Sequence, residues 1–365
     1  MLKKEIRYFA GGNTAKGFVE FFDSNFQDLE RLYILKGGPG TGKSSLIKSI
    51  GNEWGEKGYF IEWIHCSSDP DSIDAIILPE LKVGIVDGTN PHVIEPKYPG
   101  VVDDYVNLGI AWDRNELLDQ KDEIISLTNQ VKEGFKKAYD SFAQGLALHD
   151  ELEKIFINEM DFDKANQLAE HWIQKLILNE QRSSIGSSKI YKRFLGATTP
   201  IGPVDFVENI TEDLNRYFIK GRAGSGKSTM LKKIAKAANE KGYDVEVYHC
   251  GFDPNSLDMV VVRELNFSIF DSTAPHEYYP TKESDTIIDL YELLITPGTD
   301  EKYASDIKDA TDKYKSKLKE GIQHLAKTKE IRDQLEQIYI KAMDFSIVDK
   351  IRDQINEEMK SMIKK

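Results

Sequence analysis

An α/β fold made of two repeated halves is predicted by three features of the amino-acid sequence. Apolar runs of strand length alternate with longer amphipathic stretches, the pattern of a parallel sheet covered by helices. A glycine-rich loop of the form G-x-x-x-x-G-K-S occurs at residues 37–44 and again at 221–228. Lys227 follows Lys43 by 184 positions, and the same offset aligns long stretches of the chain. We therefore predict tandem domains, each a parallel sheet flanked by helices with an appended helical hairpin.

The internal repeat covers whole domains rather than a short motif. Residues of the two halves agree in several blocks, and the hairpins align at an offset of 183. The matching blocks are Glu56-Lys57-Gly58-Tyr59 with Glu240-Lys241-Gly242-Tyr243, His65-Cys66 with His249-Cys250, Asp69-Pro70 with Asp253-Pro254, Glu80-Leu81 with Glu264-Leu265, and Met160-Asp161-Phe162 with Met343-Asp344-Phe345. A chain of 365 residues suits two domains of roughly 180 residues each. We expect a first domain at 1–184, with its hairpin at about 113–181, and a second at 185–365, with its hairpin at about 300–364. A small polar stretch at 183–188 has the composition of the linker.

Charge and composition exclude several classes of partner. The chain has 48 basic and 61 acidic residues and a net charge of −13, which argues against nucleic acid binding. It contains no apolar run of about 18 residues and its first residues lack the apolar core of a signal peptide, so we expect no membrane contact. The two cysteines, Cys66 and Cys250, occupy equivalent positions and indicate a reducing compartment rather than a disulfide. A cytoplasmic location is expected.

The order of elements is the same in both halves. A strand or hairpin at 17–21 and 202–206 precedes the apolar strand that leads into each loop, at 32–35 and 217–219. A helix runs from Lys43 to about Lys57, where Gly58 ends it. A second strand is predicted at 59–66 and 243–250, and a third apolar run ends in Asp87 in one half and Asp271 in the other.

Each half ends in a charged, helix-rich region. Apolar residues recur there at three- and four-residue spacing, which predicts helices at 114–157 and 164–178 and again at 301–342 and 347–363. The three residues Met-Asp-Phe join the two helices of each hairpin. Periodicity leaves two interpretations open: a bundle that completes the packing of the domain, or an arm that binds a protein partner or a second copy.

The two glycine-rich loops match the Walker A sequence motif. Glycines allow consecutive backbone N–H groups to point at an anion, and the helix that follows presents its partly positive N-terminus to the same phosphates. Lys43 and Lys227 would reach the β- and γ-phosphates of a nucleotide, and Ser44 and Ser228 would hold Mg²⁺. The expected cofactor-binding residues are Gly38, Pro39, Gly40, Thr41, Gly42, Lys43, Ser44 and Ser45 in the first loop, and Arg222, Ala223, Gly224, Ser225, Gly226, Lys227, Ser228 and Thr229 in the second.

Asp87 and Asp271 have the position of a Walker B aspartate. Each follows an apolar strand some 45 residues after a loop, where the carboxyl end of the strand meets the ligands of open α/β sheets. The expected metal ligands are therefore Ser44, Asp87, Ser228 and Asp271. The residue after each aspartate is Gly88 or Ser272, not the glutamate that many ATPases use to activate water.

Four retained residues are candidates for the catalytic chemistry. Asp69 and Asp253 have the position of a carboxylate that would receive a substrate proton in a small-molecule kinase, or they cap a turn. His92 and His276 would contact the γ-phosphate, or they bond the loop backbone. Arginine is absent from 115–181 and from 264–331, which argues against a nucleoside monophosphate kinase lid and leaves open an arginine supplied by the other half.

With these loops, the block Asp-Gly-Thr-Asn-Pro-His at 87–92 and the tandem repeat, nearly the full chain resembles a family of uncharacterised bacterial proteins with two P-loop NTPase domains, sometimes called nucleotide-kinase-like. The resemblance implies ATP binding and hydrolysis with Mg²⁺ but carries no substrate. No Asn-Lys-x-Asp motif is present to read guanine, which favours ATP.

Three functions are compatible with these features: a slow ATPase that acts as a conformational switch, a small-molecule or nucleotide kinase, and a non-catalytic scaffold that ATP stabilises and whose hairpins bind a protein. Pro39 stiffens the first loop and Arg222 adds charge to the second, so we expect the second loop to retain more triphosphate.

Overall fold

The computed structural model describes residues 4–179 and 188–363 as an α/β protein with a large mixed sheet. The predicted linker, apart from Ser188, and the predicted domain boundary at 184/185 lie outside the described residues. Within the described ranges, none of the helices combines the length and apolar character that a membrane crossing requires.

The elements of the N-terminal half follow the predicted order with additions. Its strands are β1 (Glu5–Phe9), β2 (Gly11–Thr14), β3 (Gly17–Glu20), β4 (Arg31–Lys36), β5 (Ile61–Cys66), β6 (Asp69–Leu78), β7 (Val83–Asp87) and β8 (Asp103–Asn107). Its helices are α1 (Phe22–Asn25), α2 (Lys43–Glu56), α3 (Arg114–Asp119), α4 (Lys121–Asn158) and α5 (Phe162–Ile173). The predicted hairpin before the loop strand is confirmed as β2 paired with β3.

The C-terminal half repeats this arrangement. Its strands are β9 (Ile190–Phe194), β10 (Gly196–Thr199), β11 (Gly202–Asp205), β12 (Asn215–Lys220), β13 (Val245–His249), β14 (Leu257–Val262), β15 (Phe267–Asp271) and β16 (Thr286–Asp289). Its helices are α6 (Val207–Thr211), α7 (Lys227–Glu240), α8 (Leu290–Leu294), α9 (Thr299–Lys302), α10 (Ala304–Lys341) and α11 (Phe345–Ile363).

Twelve strands form one continuous sheet through both halves, in the order β16-β12-β15-β14-β13-β9-β1-β5-β6-β7-β4-β8. The halves meet where β1 and β9 pair antiparallel at Phe9 and Phe194. In each half the loop strand lies between two parallel neighbours: β4 between β7 and β8, and β12 between β15 and β16.

The prediction of a parallel sheet is wrong at β6 and β14, which run antiparallel to both of their neighbours. The physical reason is the length of the connection. Only two residues separate β5 from β6, and a parallel pair needs a crossover of a dozen or more residues. From Asp69 the chain continues as a strand that inserts between β5 and β7.

The helices predicted for each hairpin are present, but α4 packs on α10 rather than on α5, and the second helix of each half covers the opposite half. Helix α5 of the N-terminal half packs Ala169 and Trp172 against Met230 and Leu231 of α7. Helix α11 of the C-terminal half packs Val348, Ile355 and Met359 into the core around α2. The long helices α4 and α10 pack on one another, with Phe142 against Leu325. Each core of one half is therefore closed by the hairpin of the other.

Candidate functional site

The first glycine-rich loop connects β4 to α2 and is built on two left-handed glycines. Gly40 has a φ of +68° and Gly42 a φ of +83°, a region that residues with a Cβ rarely adopt. Helix α2 begins at the next residue, Lys43, so its free N–H groups are directed at the loop. Within the loop, the Thr41 hydroxyl donates to the Gly38 carbonyl at 2.9 Å. Gly38, Pro39 and Thr41 thus lie in one tight turn before the helix.

Lys43 is folded back into this turn. Its Nζ donates to the carbonyl oxygens of Gly37 at 3.1 Å and Gly38 at 2.7 Å. The Asp87 carboxylate, at the end of β7, lies 3.6 Å from the same Nζ. Burial lowers the pKa of Lys43, and the charge of Asp87 opposes that effect. The ammonium group is therefore held by carbonyl groups that a bound phosphate would replace.

The second loop has the same construction between β12 and α7. Gly224 and Gly226 have φ values of +72° and +87°, and the Ser225 hydroxyl donates to the Arg222 carbonyl at 2.8 Å. Lys227 Nζ donates to that carbonyl at 2.9 Å and lies 3.5 Å from the Asp271 carboxylate. The structure thus brings together the lysine and the aspartate that the sequence predicts in each half.

The side chain of Arg222 is directed away from this arrangement. It pairs with the Asp300 carboxylate at 2.5 Å and lies over the Tyr291 ring, 5.2 Å from its centroid. Its neighbour Ala223 packs against the apolar cluster around Phe156 of α4. Arg222 is one of the residues expected to bind the cofactor. Its backbone carbonyl accepts hydrogen bonds within the loop, while its side-chain charge is paired with Asp300.

The predicted metal ligands are positioned by backbone bonds. Ser44 Oγ accepts from the Ile73 N–H at 2.9 Å, and Ser228 Oγ accepts from the Leu257 N–H at 3.0 Å. The aspartates are oriented by the residue two positions on, since the N–H and hydroxyl of Thr89 both donate to Asp87 Oδ1, and those of Thr273 do the same for Asp271.

Sequence reasoning missed a second carboxylate in each half. Asp74 on β6 is buried, and its carboxylate lies 3.5 Å from the His92 Nε2. Asp258 on β14 occupies the equivalent position, and burial together with the charge of Asp271 raises its pKa to about 7. The signal was present in the repeat, because Ser-x-Asp at 72–74 recurs at 256–258.

The two histidines join these acidic clusters. Burial would lower the pKa of His92, but Asp74 and Asp87 outweigh it and raise the pKa to about 9. His276 Nδ1 lies 2.6 Å from the Asp205 carboxylate, which raises the pKa of His276 despite burial. Asp258 and Asp271 act in the same direction. Both histidines are thus partners of buried or half-buried carboxylates that favour their protonated forms.

Asp69 and Asp253 have turn-forming partners. Asp69 accepts from the Ser72 hydroxyl at 2.8 Å, while Asp253 accepts from the Ser256 hydroxyl at 3.1 Å and from the Asn255 N–H at 3.1 Å. These are the local bonds of an aspartate that caps a turn. The structure favours the turn-capping alternative for Asp253, whereas Asp69 is the first residue of β6 and its carboxylate is engaged by Ser72.

The donor set suits a hard divalent cation. Each half offers the serine hydroxyl at the start of the helix and carboxylates from two neighbouring strands, and Mg²⁺ prefers such oxygen ligands. Asp74 and Asp87 both act on His92, and Asp271 acts on Asp258, so a cation in either place would favour the ionised carboxylates.

Both loops are touched by a long helix from the other half. A Cβ at position 40 would lie 2.6 Å from the Glu336 carbonyl oxygen of α10, and one at position 224 would lie 2.5 Å from the Glu153 carbonyl oxygen of α4. Only glycine fits such contacts. Beside the first loop, a cavity of about 180 Å³ is lined by Gly42, Ser45, Leu46, Ser49, Phe345, Val348, Asp349 and Arg352. Ser45 therefore faces a space enclosed by α11, and Thr229 holds the equivalent position in the second half.

Comparison of the chain with protein-family models, with curated proteins and with solved structures finds no match in any of the three. Function is therefore argued from the two loops and the residues around them.

Proposed function

We propose that this protein binds Mg²⁺ and ATP at both loops and hydrolyses ATP slowly, as a switch between two arrangements of its halves. One observation carries the proposal. In each half, two left-handed glycines lead directly into a 14-residue helix whose first residue, Lys43 or Lys227, lies within 4 Å of an aspartate at the end of a strand. Backbone N–H groups, a lysine and a carboxylate are the parts with which P-loop proteins hold a nucleotide phosphate and its Mg²⁺.

The chemistry at each site follows from these parts. Phosphate oxygens accept hydrogen bonds from the loop N–H groups and from the first turn of α2 or α7. Lys43 and Lys227 exchange their present carbonyl partners for phosphate oxygens. The serine hydroxyl and the aspartate would hold Mg²⁺, which would supply positive charge beside the nucleotide phosphates.

The exchanged hairpins supply the switching element. Because α10 touches the first loop and α4 touches the second, a change in either loop acts directly on a helix of the other half. Since α4 and α10 also pack on one another, both sites act on a single helical pair. A nucleotide that binds the two arrangements with different affinity shifts the balance between them.

A phosphotransferase that uses Asp69 and Asp253 as bases has less support, because each carboxylate already accepts a hydrogen bond from the serine three positions on.

The test measures bound nucleotide and phosphate release from Mg·ATP in the wild type and in a Lys43→Ala/Lys227→Ala double variant. Lys57→Ala is a matched control, because it removes a lysine at the far end of α2 that pairs with Glu53. We expect the double variant to lose nucleotide affinity and phosphate release, and the control to retain both. Equal release in the wild type and the double variant would refute the proposed sites, and tight binding without release would refute the hydrolytic part.

A further inference from the structure

Helix α10 presents one face to the first loop. The Glu336 carbonyl meets Gly40, and the Tyr339 ring lies 3.1 Å from where a Cβ at Gly38 would be. Residues three and four apart share a face of an α-helix, so Arg332 lies on this face one turn before Glu336. Arg332 therefore lies on the same side of α10 as Glu336, and Asp74 and Asp87 are close enough to act on its charge.

The guanidinium of Arg332 is oriented by an ion pair with Glu336. Its Nε lies 3.2 Å from the Glu336 carboxylate, and the side chain is 31% exposed. Within residues 4–179 and 188–363 no hydrogen bond engages its two terminal nitrogens. Arginine uses these nitrogens as a fork for phosphate oxygens. One N–H of the guanidinium thus pairs with Glu336, and the two terminal nitrogens can donate hydrogen bonds to a phosphate.

The electrostatic surroundings of Arg332 belong to the first site. Burial alone would lower its pKa, but Cys66, Glu336, Asp74 and Asp87 together raise it. Conversely, burial is the main cause that lowers the pKa of Lys43, and Arg332 adds to that effect. Arg332 therefore interacts electrostatically with Asp87 and Glu336, as Lys43 of the loop does, although Arg332 comes from the other half of the chain.

The second loop has no arginine in the equivalent place. The hairpin offset of 183 aligns Glu336 with Glu153 and Arg332 with His149. The correspondence is structural as well, since Glu153 contacts Gly224 as Glu336 contacts Gly40. His149 Nδ1 lies 3.7 Å from the Glu153 carboxylate, and its ring packs against Tyr314. The two sites thus share their backbone construction and differ in this side chain.

We infer that Arg332 is a catalytic residue of the first site, delivered by the opposite half, and that it binds the terminal phosphate of a nucleotide held by Gly40 and Lys43. The inference rests on the proposed function. The second site, with His149 in this position, retains binding and lacks the arginine. The first loop is therefore the faster hydrolytic site.

The reaction to which Arg332 contributes is attack by water on the γ-phosphorus of ATP. The oxygen of water forms the new bond to phosphorus, the bond from phosphorus to the β–γ bridging oxygen breaks, and ADP leaves with that electron pair. The proton of the attacking water passes to the released phosphate or to solvent. Arg332 exchanges no proton; it donates hydrogen bonds to γ-phosphate oxygens, where negative charge is concentrated in the transition state.

The experiment isolates the first site in a Lys227→Ala background and adds Arg332→Ala or Arg332→Lys. Affinities for ADP and for a non-hydrolysable ATP analogue are measured beside phosphate release. Removal of an arginine that acts on the transferred phosphate costs about 10³-fold in turnover. We expect a loss of this order for Arg332→Ala, with weaker binding of the analogue and ADP affinity unchanged within twofold. Arg332→Lys restores only part, because it keeps the charge and loses the fork.

Two controls separate this inference from a fault in folding. Lys313→Ala on α10 removes a comparable ion pair, Lys313 with Asp309, about five turns away. It should behave as the background protein does. Urea denaturation of Arg332→Ala in the Lys227→Ala background should give the unfolding midpoint of the Lys313→Ala variant, and a clearly lower midpoint would show damage to the fold and overturn the assignment.

The outcomes also distinguish the two proposals. If the Lys43→Ala/Lys227→Ala variant loses binding while Arg332→Ala in the Lys227→Ala background loses neither analogue affinity nor release, the nucleotide sites stand and the role of Arg332 is refuted. If the wild type does not bind nucleotide, both proposals fall.

Discussion

Trp54 and Asn356 are joined by a buried hydrogen bond, although 302 positions of sequence separate them. Trp54 Nε1 donates to Asn356 Oδ1 at 2.9 Å, and Asn356 Nδ2 donates to the Glu53 carboxylate at 2.8 Å. The bond fastens α11 to α2, the helix that follows the first loop. A helix near the C-terminal end of the chain thereby becomes a wall of the N-terminal core, and the packing of α11 on the opposite half can be tested at this contact.

Substitution of Asn356 by Ala should destabilise the protein measurably. The change leaves the indole N–H of a fully buried tryptophan without a partner, at a cost of about 1–3 kcal/mol in the free energy of unfolding. Urea denaturation followed by Trp fluorescence measures the effect. Gln354→Ala, at an exposed position of the same helix, serves as the control and should cost less than about 0.5 kcal/mol. Equal losses in the two variants would contradict the contact between α11 and α2.

Gly40→Ala should separate α10 from the first loop. The left-handed backbone costs an L-residue about 1–2 kcal/mol, and the added Cβ would also lie 2.6 Å from the Glu336 carbonyl oxygen. Gly58→Ala is the matched control, because Gly58 has a φ of +93° and nothing within 4 Å of its Cβ position. We expect Gly40→Ala to lose about 1–3 kcal/mol more than the control and to weaken nucleotide binding. If both variants lose the same stability and bind alike, the close contact is not present.

Asp258→Asn should stabilise the protein increasingly as the pH rises from 5 to 8. The folded-state pKa of Asp258 is raised to about 7 by burial and by Asp271, whereas an unfolded aspartate ionises near 3.9. Between these values the folded state holds a proton that the unfolded state has lost, so wild-type stability falls with increasing pH. The amide carries no charge and removes this dependence.

The size of that effect is about 2 kcal/mol between pH 5 and 8, measured as the difference in unfolding free energy between variant and wild type. Asp309→Asn, on the exposed face of α10, should show no such pH-dependent gain. A difference that stays flat or shrinks as the pH rises would rule out the raised pKa.

Asp300→Asn should strengthen triphosphate binding at the second loop. Arg222 is expected from the sequence to add charge there, but the structure pairs it with Asp300 at 2.5 Å. Release of an exposed arginine from such a pair involves up to about 1 kcal/mol, so we expect a rise of about threefold in affinity. Titration with a non-hydrolysable ATP analogue in a Lys43→Ala background measures it, with Asp306→Asn as the control. Unchanged affinity would show that Arg222 does not contribute.

Local features of the sequence predicted much of what positions the site. The sequence predicted the helix after each loop, the apolar strands that end at Asp87 and Asp271, and the long amphipathic helices of each half, because each depends on the spacing of nearby residues. The lysine and the aspartate of each half were paired correctly because strand order in an α/β sheet brings the carboxyl ends of neighbouring strands to one edge.

The parallel direction predicted for the sheet is wrong for β6 and β14. Asp69-Pro70 has the chemistry of a turn, and the apolar run that follows was not recognised as a strand that inserts between β5 and β7. That insertion is what carries Asp74 and Asp258 beside the loops. The Ser-x-Asp retained at 72–74 and 256–258 is the sequence signal for both residues.

The sequence by itself determined the duplicated elements, the two glycine loops and the lysine that begins each helix, because short-range backbone chemistry specifies them. Only the tertiary structure decided which hairpin covers which core, since the two hairpins are similar amphipathic surfaces and either would bury its apolar face against either half. That choice places Arg332 beside the first loop and His149 beside the second. Contacts between residues hundreds of positions apart depend on packing of complementary surfaces, which no local pattern records.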